Sequence, residues 1–269
     1  MPEFKVNEAV YYFTEQGDGD PLILLHGFIG STQNWSAVTP TLASAYRVIA
    51  VDILGHGLSS SPAEPQRYHI GAVANDLAFI LAAITTMPVH LIGYSMGARL
   101  ALYFALTYPQ FVRKLVLESG SPGLETPEEQ SSRVESDDQL AGWLLENGIT
   151  AFIDRWERLP LFESQMRLSV EILAKQRAQR LQSNPTGLAN SLRGMGAGCQ
   201  PSLWGKLDTL SAPTLLITGA LDHKYCMIAQ RMAQMIPDAT LQIVPDAGHN
   251  VHLERAEIYL QLTKSFLQG

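Results

Sequence analysis

The chain is expected to adopt an α/β fold with a mostly parallel sheet flanked by helices and interrupted by one helical insertion. Three observations predict it. Short runs of consecutive apolar residues recur along the chain, as strands buried on both faces require. Helical patterns alternate with those runs, which implies right-handed βαβ crossovers. The alternation then stops between Ser121 and Trp204 and resumes afterwards.

The strand-like runs are Val10–Thr14, Leu22–Leu25, Arg47–Val51, Val89–Ile92, Leu115–Glu118, Leu215–Thr218 and Leu241–Val244. The helical stretches are Trp35–Ala43, Ala72–Ala83, Met96–Leu106, Cys226–Met235 and Ala256–Phe266. Residues 121–204 are polar and rich in Glu, Arg and Gln. Pro122 and Pro127 bound them early, and the Gly194–Gly198 run with Pro201 bounds them late. Residues 1–120 and 205–269 therefore read as the α/β core, and 121–204 as a helical cap. Inserted after the run Leu115–Glu118, the cap would lie over the carboxyl ends of the strands, where open α/β sheets bind ligands. The 269 residues are ample for a sizeable core.

The stretch Leu91-Ile92-Gly93-Tyr94-Ser95-Met96-Gly97 carries the chemistry. It is a G-x-S-x-G turn between an apolar strand and an Ala/Leu-rich helix, the nucleophile elbow of the α/β-hydrolase fold. Glycines on either side leave room for a strained turn, and the helix start beside Ser95 favours developing negative charge. A serine hydroxyl needs an imidazole to take its proton, and the imidazole needs a carboxylate to orient it. In this fold the chain order is Ser, acid, His. Asp222 follows the run Leu215–Thr218, and His249 follows Leu241–Val244. Both are thereby expected at the same sheet edge as Ser95, with Asp222 orienting His249 and His249 taking the Ser95 proton. Asp246 is a rival acid, but it lies too near His249 in sequence to reach behind the ring. His252 is a rival base that reads better as a packing residue near a helix start. His26 is expected to shape the loop that follows the first buried strand, His56 to be structural, and His69, His90 and His223 to be surface or packing residues. The oxyanion hole is expected from the backbone N–H groups of Met96 and Phe28.

Composition excludes several classes. The net charge of -7 disfavours nucleic acid and anionic membranes as partners. No apolar run has the length of a membrane span, and no secretory signal opens the chain. A cytoplasmic protein is expected, with the two cysteines reduced. The seven histidines lack metal-ligand spacing, and no phosphate-binding glycine loop is present, so neither a metal nor another cofactor is expected. Oligomeric state is not legible, and a monomer is compatible with the sequence.

Arginine narrows the substrate. Thirteen of the 19 basic residues are Arg, and seven of those lie within residues 121–204. Arginine presents a planar fork suited to carboxylates. Arg99 follows Ser95 by one helical turn, so it shares roughly one helix face with the nucleophile. The structural alternative for any cap arginine is pairing with cap carboxylates such as Glu128, Glu135 and Asp137.

With those residues in view, the sequence resembles the 2-succinyl-6-hydroxy-2,4-cyclohexadiene-1-carboxylate synthases of menaquinone and phylloquinone biosynthesis. The resemblance runs nearly end to end. It rests on Leu25-His26-Gly27-Phe28, Asp52–Gly57, the elbow through Arg99, Glu118–Leu124, Arg133 with Asp137, Trp156 before Leu159–Phe162, Arg180 before Asn184–Leu188, Ser191–Gly196, Gln200–Trp204 and Gly248–His252. The early pieces are shared by many α/β-hydrolases, whereas Arg99 after the elbow, Ser119–Leu124 and the Ser191–Trp204 region are much more specific. It implies a lyase on a hydrolase fold. Proton abstraction from the substrate ring starts an elimination that releases pyruvate, with no acyl-enzyme. Ser95, activated by His249, would be the base. Arg99, Arg133 and Arg180 would hold carboxylates of a small polycarboxylate substrate, and Tyr94 and Trp156 would line the pocket. The rival readings are a carboxylesterase, thioesterase or C–C bond hydrolase with the same triad, and a receptor that kept the fold without turnover.

Overall fold

The computed structural model describes residues 3–269. Eight strands form one sheet: β1 (Glu3–Val6), β2 (Ala9–Gln16), β3 (Asp20–Leu25), β4 (Tyr46–Val51), β5 (Val89–Tyr94), β6 (Val112–Glu118), β7 (Thr214–Gly219) and β8 (Ala239–Val244). Their order across the sheet is β1-β2-β4-β3-β5-β6-β7-β8. The β1–β2 and β2–β4 pairs are antiparallel, and every pair from β4 to β8 is parallel. The consecutive apolar residues of the inner strands are explained by two cores. In β3, Ile23 and Leu25 join one cluster while Leu22 and Leu24 join the other. The first cluster is covered by α2 (Ile70–Ile84), α3 (Met96–Thr107) and α7 (His223–Met235), and the second by α1 (Thr39–Leu42) and α9 (Ala256–Gln268). Both faces of the inner strands are buried, so those strands show no polar alternation.

Residues 121–204 are helical or irregular throughout, with α4 (Pro127–Trp156), α5 (Val170–Arg180) and α6 (Pro185–Met195) as the main elements. Thr126 starts α4 with a capping box: its hydroxyl accepts from the Glu129 N–H, and the Glu129 carboxylate accepts from the Thr126 N–H. Non-helical backbone at Gly148 kinks α4. A third apolar cluster joins Ala141, Leu144, Phe152 and Ile153 of α4 to Leu188 and Leu192 of α6, and it includes Ile29 from the loop after β3. The insertion thus has its own small core and rests on the loop expected to supply an oxyanion donor.

Two elements differ from the sequence expectation. The stretch Trp35–Ala43 is not one helix. A 3-10 turn at Thr32–Trp35, capped by Ser31, ends before the single turn of α1, where Pro40 stands in the first helical turn. Proline there starts a helix but cannot continue one from upstream. Strand β1 was not expected. It pairs with β2 through a two-residue turn in which Asn7 and Glu8 both have positive φ. Such turns favour Asn-Gly, and glutamate at the second position hides the signal.

Candidate active site

The carboxyl ends of the strands gather the chemistry. Ser95 follows β5 with φ 52° and ψ -109°, and its N–H donates to the Glu118 carbonyl of β6 at 2.8 Å. Any side chain on Gly97 would collide with the Leu25 and His26 carbonyls, so the sharp turn requires glycine there. Ile29, Ser119 and Asp246 also have positive φ, and each lies just past a strand's carboxyl end. Backbone strain of this kind is held by the surrounding fold and clusters where function is built.

Ser95, His249 and Asp222 come together from three chain segments. His249 Nε2 lies 2.9 Å from Ser95 Oγ, and His249 Nδ1 lies 2.7 Å from Asp222 Oδ2. Asp222 also caps α7, accepting from the Tyr225 N–H at 3.4 Å. The second carboxylate oxygen is thereby occupied, and the acid cannot rotate freely behind the imidazole. His249 is 1% exposed and Asp222 6%. Tyr225 lies against the imidazole with ring centroids 4.6 Å apart.

The rival groups are engaged elsewhere. Asp246 is exposed and pairs with Arg255 at 2.9 Å. His252 lies in the short helix α8 (Val251–Glu254), which Asn250 caps. Its Nδ1 lies 2.7 Å from Glu118 Oε2, its N–H donates to Glu118 Oε1, and Trp35 stacks on its ring at 4.4 Å. This buried pair beneath the site had no sequence signal, because its partners are 134 residues apart. His26 accepts the Ile53 N–H at Nε2, which leaves Nδ1–H to donate to the Gly27 carbonyl at 2.7 Å. It therefore braces the loop carrying Phe28. The backbone N–H groups of Phe28 and Met96 donate to no backbone carbonyl among the described residues.

Burial holds His26 down to about 4, and burial with nearby positive charge holds His56 to about 3, beside His26, and His90 to about 4, beside Arg113. Their folded values lie below the ordinary 6.5, so below that pH the unfolded chain takes up protons first. The stability they permit is complete above pH 6.5 and is lost as pH falls toward 4. Each should cost about 1 kcal/mol per pH unit in that window. Urea unfolding at pH 7 and pH 5 measures it, and equal midpoints would rule the mechanism out.

The three arginines singled out in the sequence sit in different electrostatic settings. Arg133 Nε donates to Asp137 Oδ1 at 2.8 Å, which is the structural alternative raised for cap arginines. Arg180 Nη1 donates to Glu157 at 3.2 Å, but Arg177 shares that carboxylate. Arg180 lies over the Phe162 ring and lines one cavity with Phe28, Tyr94 and Trp156. Trp156 ends α4 and packs against Phe28, Phe152 and Phe162. Arg99 is largely buried and has no carboxylate oxygen within 4.0 Å among the described residues. Burial, reinforced by the nearby Arg133 charge, lowers it to about 10. It remains fully cationic at neutral pH.

Residues 20–256 match the alpha/beta hydrolase fold family. A Bacillus subtilis (strain 168) protein named "Putative 2-succinyl-6-hydroxy-2,4-cyclohexadiene-1-carboxylate synthase" is 44% identical over 92% of this chain and 90% of its own length. The synthase of Enterobacter sp. (strain 638) is 30% identical over 87% of this chain and 86% of its own. The chain belongs to the 2-succinyl-6-hydroxy-2,4-cyclohexadiene-1-carboxylate synthase family. The structure of MenH from S. aureus superposes with a TM-score of 0.92 at 35% identity, covering 96% of this chain and 97% of that one. Coverage that high means the superposition extends beyond the sheet into residues 121–204. Among the described residues no helix is long and apolar enough to cross a membrane, and no cluster of metal-ligating side chains is found.

Proposed function

We propose that the chain converts 2-succinyl-5-enolpyruvyl-6-hydroxy-3-cyclohexene-1-carboxylate to 2-succinyl-6-hydroxy-2,4-cyclohexadiene-1-carboxylate and pyruvate, with Ser95 as the base. The observation that carries this is the pairing of a histidine-bonded serine with an uncompensated cation, Arg99, one turn along the same helix. An apolar ester would not repay a buried guanidinium, whereas a substrate carboxylate would.

The chemistry follows from the two ring names. The substrate has one ring double bond, between carbons 3 and 4, and the product has two, at 2–3 and 4–5. The proton must therefore leave carbon 2, next to the succinyl ketone. Ser95 Oγ takes it while passing its own proton to His249 Nε2, and Asp222 stabilises the imidazolium. The C–H pair becomes the 2–3 double bond, the old double bond shifts to 4–5, and the C5–O bond breaks. The departing enolpyruvate takes the proton from His249 and becomes pyruvate, so atoms and charge balance. Negative charge develops on the succinyl ketone oxygen, where the N–H groups of Phe28 and Met96 would serve as oxyanion donors. Arg99, Arg180 and the terminal nitrogens of Arg133, whose Nε stays on Asp137, would hold the carboxylates, and Tyr94 and Trp156 would wall the ring.

Hydrolysis of an ester, thioester or C–C bond by the same three residues is the competing reading. Offering the purified protein the enolpyruvyl substrate and an aryl ester in parallel separates them. Pyruvate release with negligible ester turnover is expected. Fast ester turnover without pyruvate would overturn the lyase assignment.

A further inference from the structure

The partner of Arg99 is an amide. Arg99 Nη1 donates to Gln200 Oε1 at 3.0 Å, and Gln200 Nε2 donates to the Ser121 carbonyl at 3.4 Å. Gln200 is 1% exposed, so its geometry is set by the protein rather than by water. It stands at the seam where the insertion leaves and rejoins the sheet. There the Leu203 N–H donates to the Pro122 carbonyl at 2.7 Å, and Trp204 Nε1 donates to the Gly123 carbonyl at 3.0 Å. Gly123 has φ 96°, and a Cβ there would come within 3.3 Å of Gln200 Nε2. The seam thus closes around the glutamine and holds its amide in one orientation.

The other neighbours of Arg99 leave its charge standing. Asp137 is the nearby carboxylate, and it is bonded to Arg133. Tyr225 and Cys199 are the remaining ionisable groups that act on it, and both are neutral at physiological pH.

We infer that Gln200 is the positioning residue for Arg99: it aims the guanidinium at the site with a neutral acceptor, so that the full positive charge is left for a substrate carboxylate. A glutamate of the same length would keep an acceptor facing the guanidinium but would neutralise it and lose the donor to the Ser121 carbonyl. A side chain without an acceptor would keep the charge but release the aim. This rests on the reading that Arg99 binds a carboxylate of the substrate.

Two near-isosteric variants separate aim from charge. Gln200→Glu is expected to raise KM for the enolpyruvyl substrate about tenfold while kcat changes little, because the loss is of binding to the charged group. Gln200→Met, which keeps volume and charge balance, is expected to raise KM about threefold by the same logic. Equilibrium binding of succinate, read by calorimetry, follows the same order without needing turnover. The inference is overturned if KM and succinate affinity in Gln200→Glu stay within twofold of wild type. It is also overturned if the two variants lose binding equally, which would mean packing alone. Should Gln200→Glu fail to fold, Gln200→Met decides: unchanged KM and succinate affinity sink the idea. A wild type that binds succinate but releases no pyruvate would overturn the lyase reading, and the succinate series would still judge Gln200. A wild type that does neither overturns both.

Discussion

Ser95→Ala and His249→Ala should each lower pyruvate release by about 10³-fold or more, and the double variant should be scarcely worse than either. The non-additivity follows from the geometry. Ser95 Oγ is 2.9 Å from His249 Nε2, and the imidazole has no other proton acceptor role in the site. Without the serine, the histidine has no hydroxyl to deprotonate. Without the histidine, the hydroxyl has nowhere to send its proton. Steady-state pyruvate release by the three variants measures the cycle. Near-wild-type turnover in Ser95→Ala would mean that His249 or another group takes the ring proton directly, and the serine would be reduced to an oriented contact. Single-turnover mixing adds a discriminating readout: the lyase reading expects no acyl-enzyme on Ser95, whereas a hydrolase would accumulate one with slow esters.

The parts of this site that could be read from sequence are those whose signal is local. Gly93 to Gly97 forms a turn whose requirement for small residues is written in five consecutive positions. Asp222 and His249 are legible because the ends of β7 and β8 are marked by apolar runs that stop at turns. The inner strands were legible because two dry faces demand uninterrupted apolar residues. Strand β1 escaped because four residues with mixed burial carry no such pattern. The break at residues 35–43 is hidden in the sequence because a 3-10 turn and a proline-started helix together imitate one apolar period. The Glu118–His252 pair and the Arg99–Gln200 bond join residues more than 100 positions apart, and only the assembled sheet and the seam of the insertion bring them together. The fate of each cap arginine was illegible for a related reason. Arg133 and Asp137 are one helical turn apart, so pairing was available locally, whereas Arg180 meets Glu157 only through the packing of α5 against the end of α4.

Arg99→Ala should lower kcat/KM for the polyanionic substrate about 100-fold, the cost of leaving a desolvated carboxylate without its cation. Arg180→Ala should cost less, because its charge is already shared with Glu157, and Arg177 stays to hold that carboxylate after the change. Arg99→Lys should recover only part of the loss, since an ammonium supplies the charge but not the fork that reaches Gln200 and a substrate carboxylate together. Truncation also strips Gln200 Oε1 of its donor, a penalty of about 1 kcal/mol in stability that thermal unfolding would report separately. The deciding control is charge selectivity. Any residual turnover of a neutral aryl ester should be nearly unchanged in Arg99→Ala while pyruvate release collapses. An equal fall in both would show that the guanidinium holds the elbow helix in place, and the argument from charge to a polycarboxylate substrate would lose its main support.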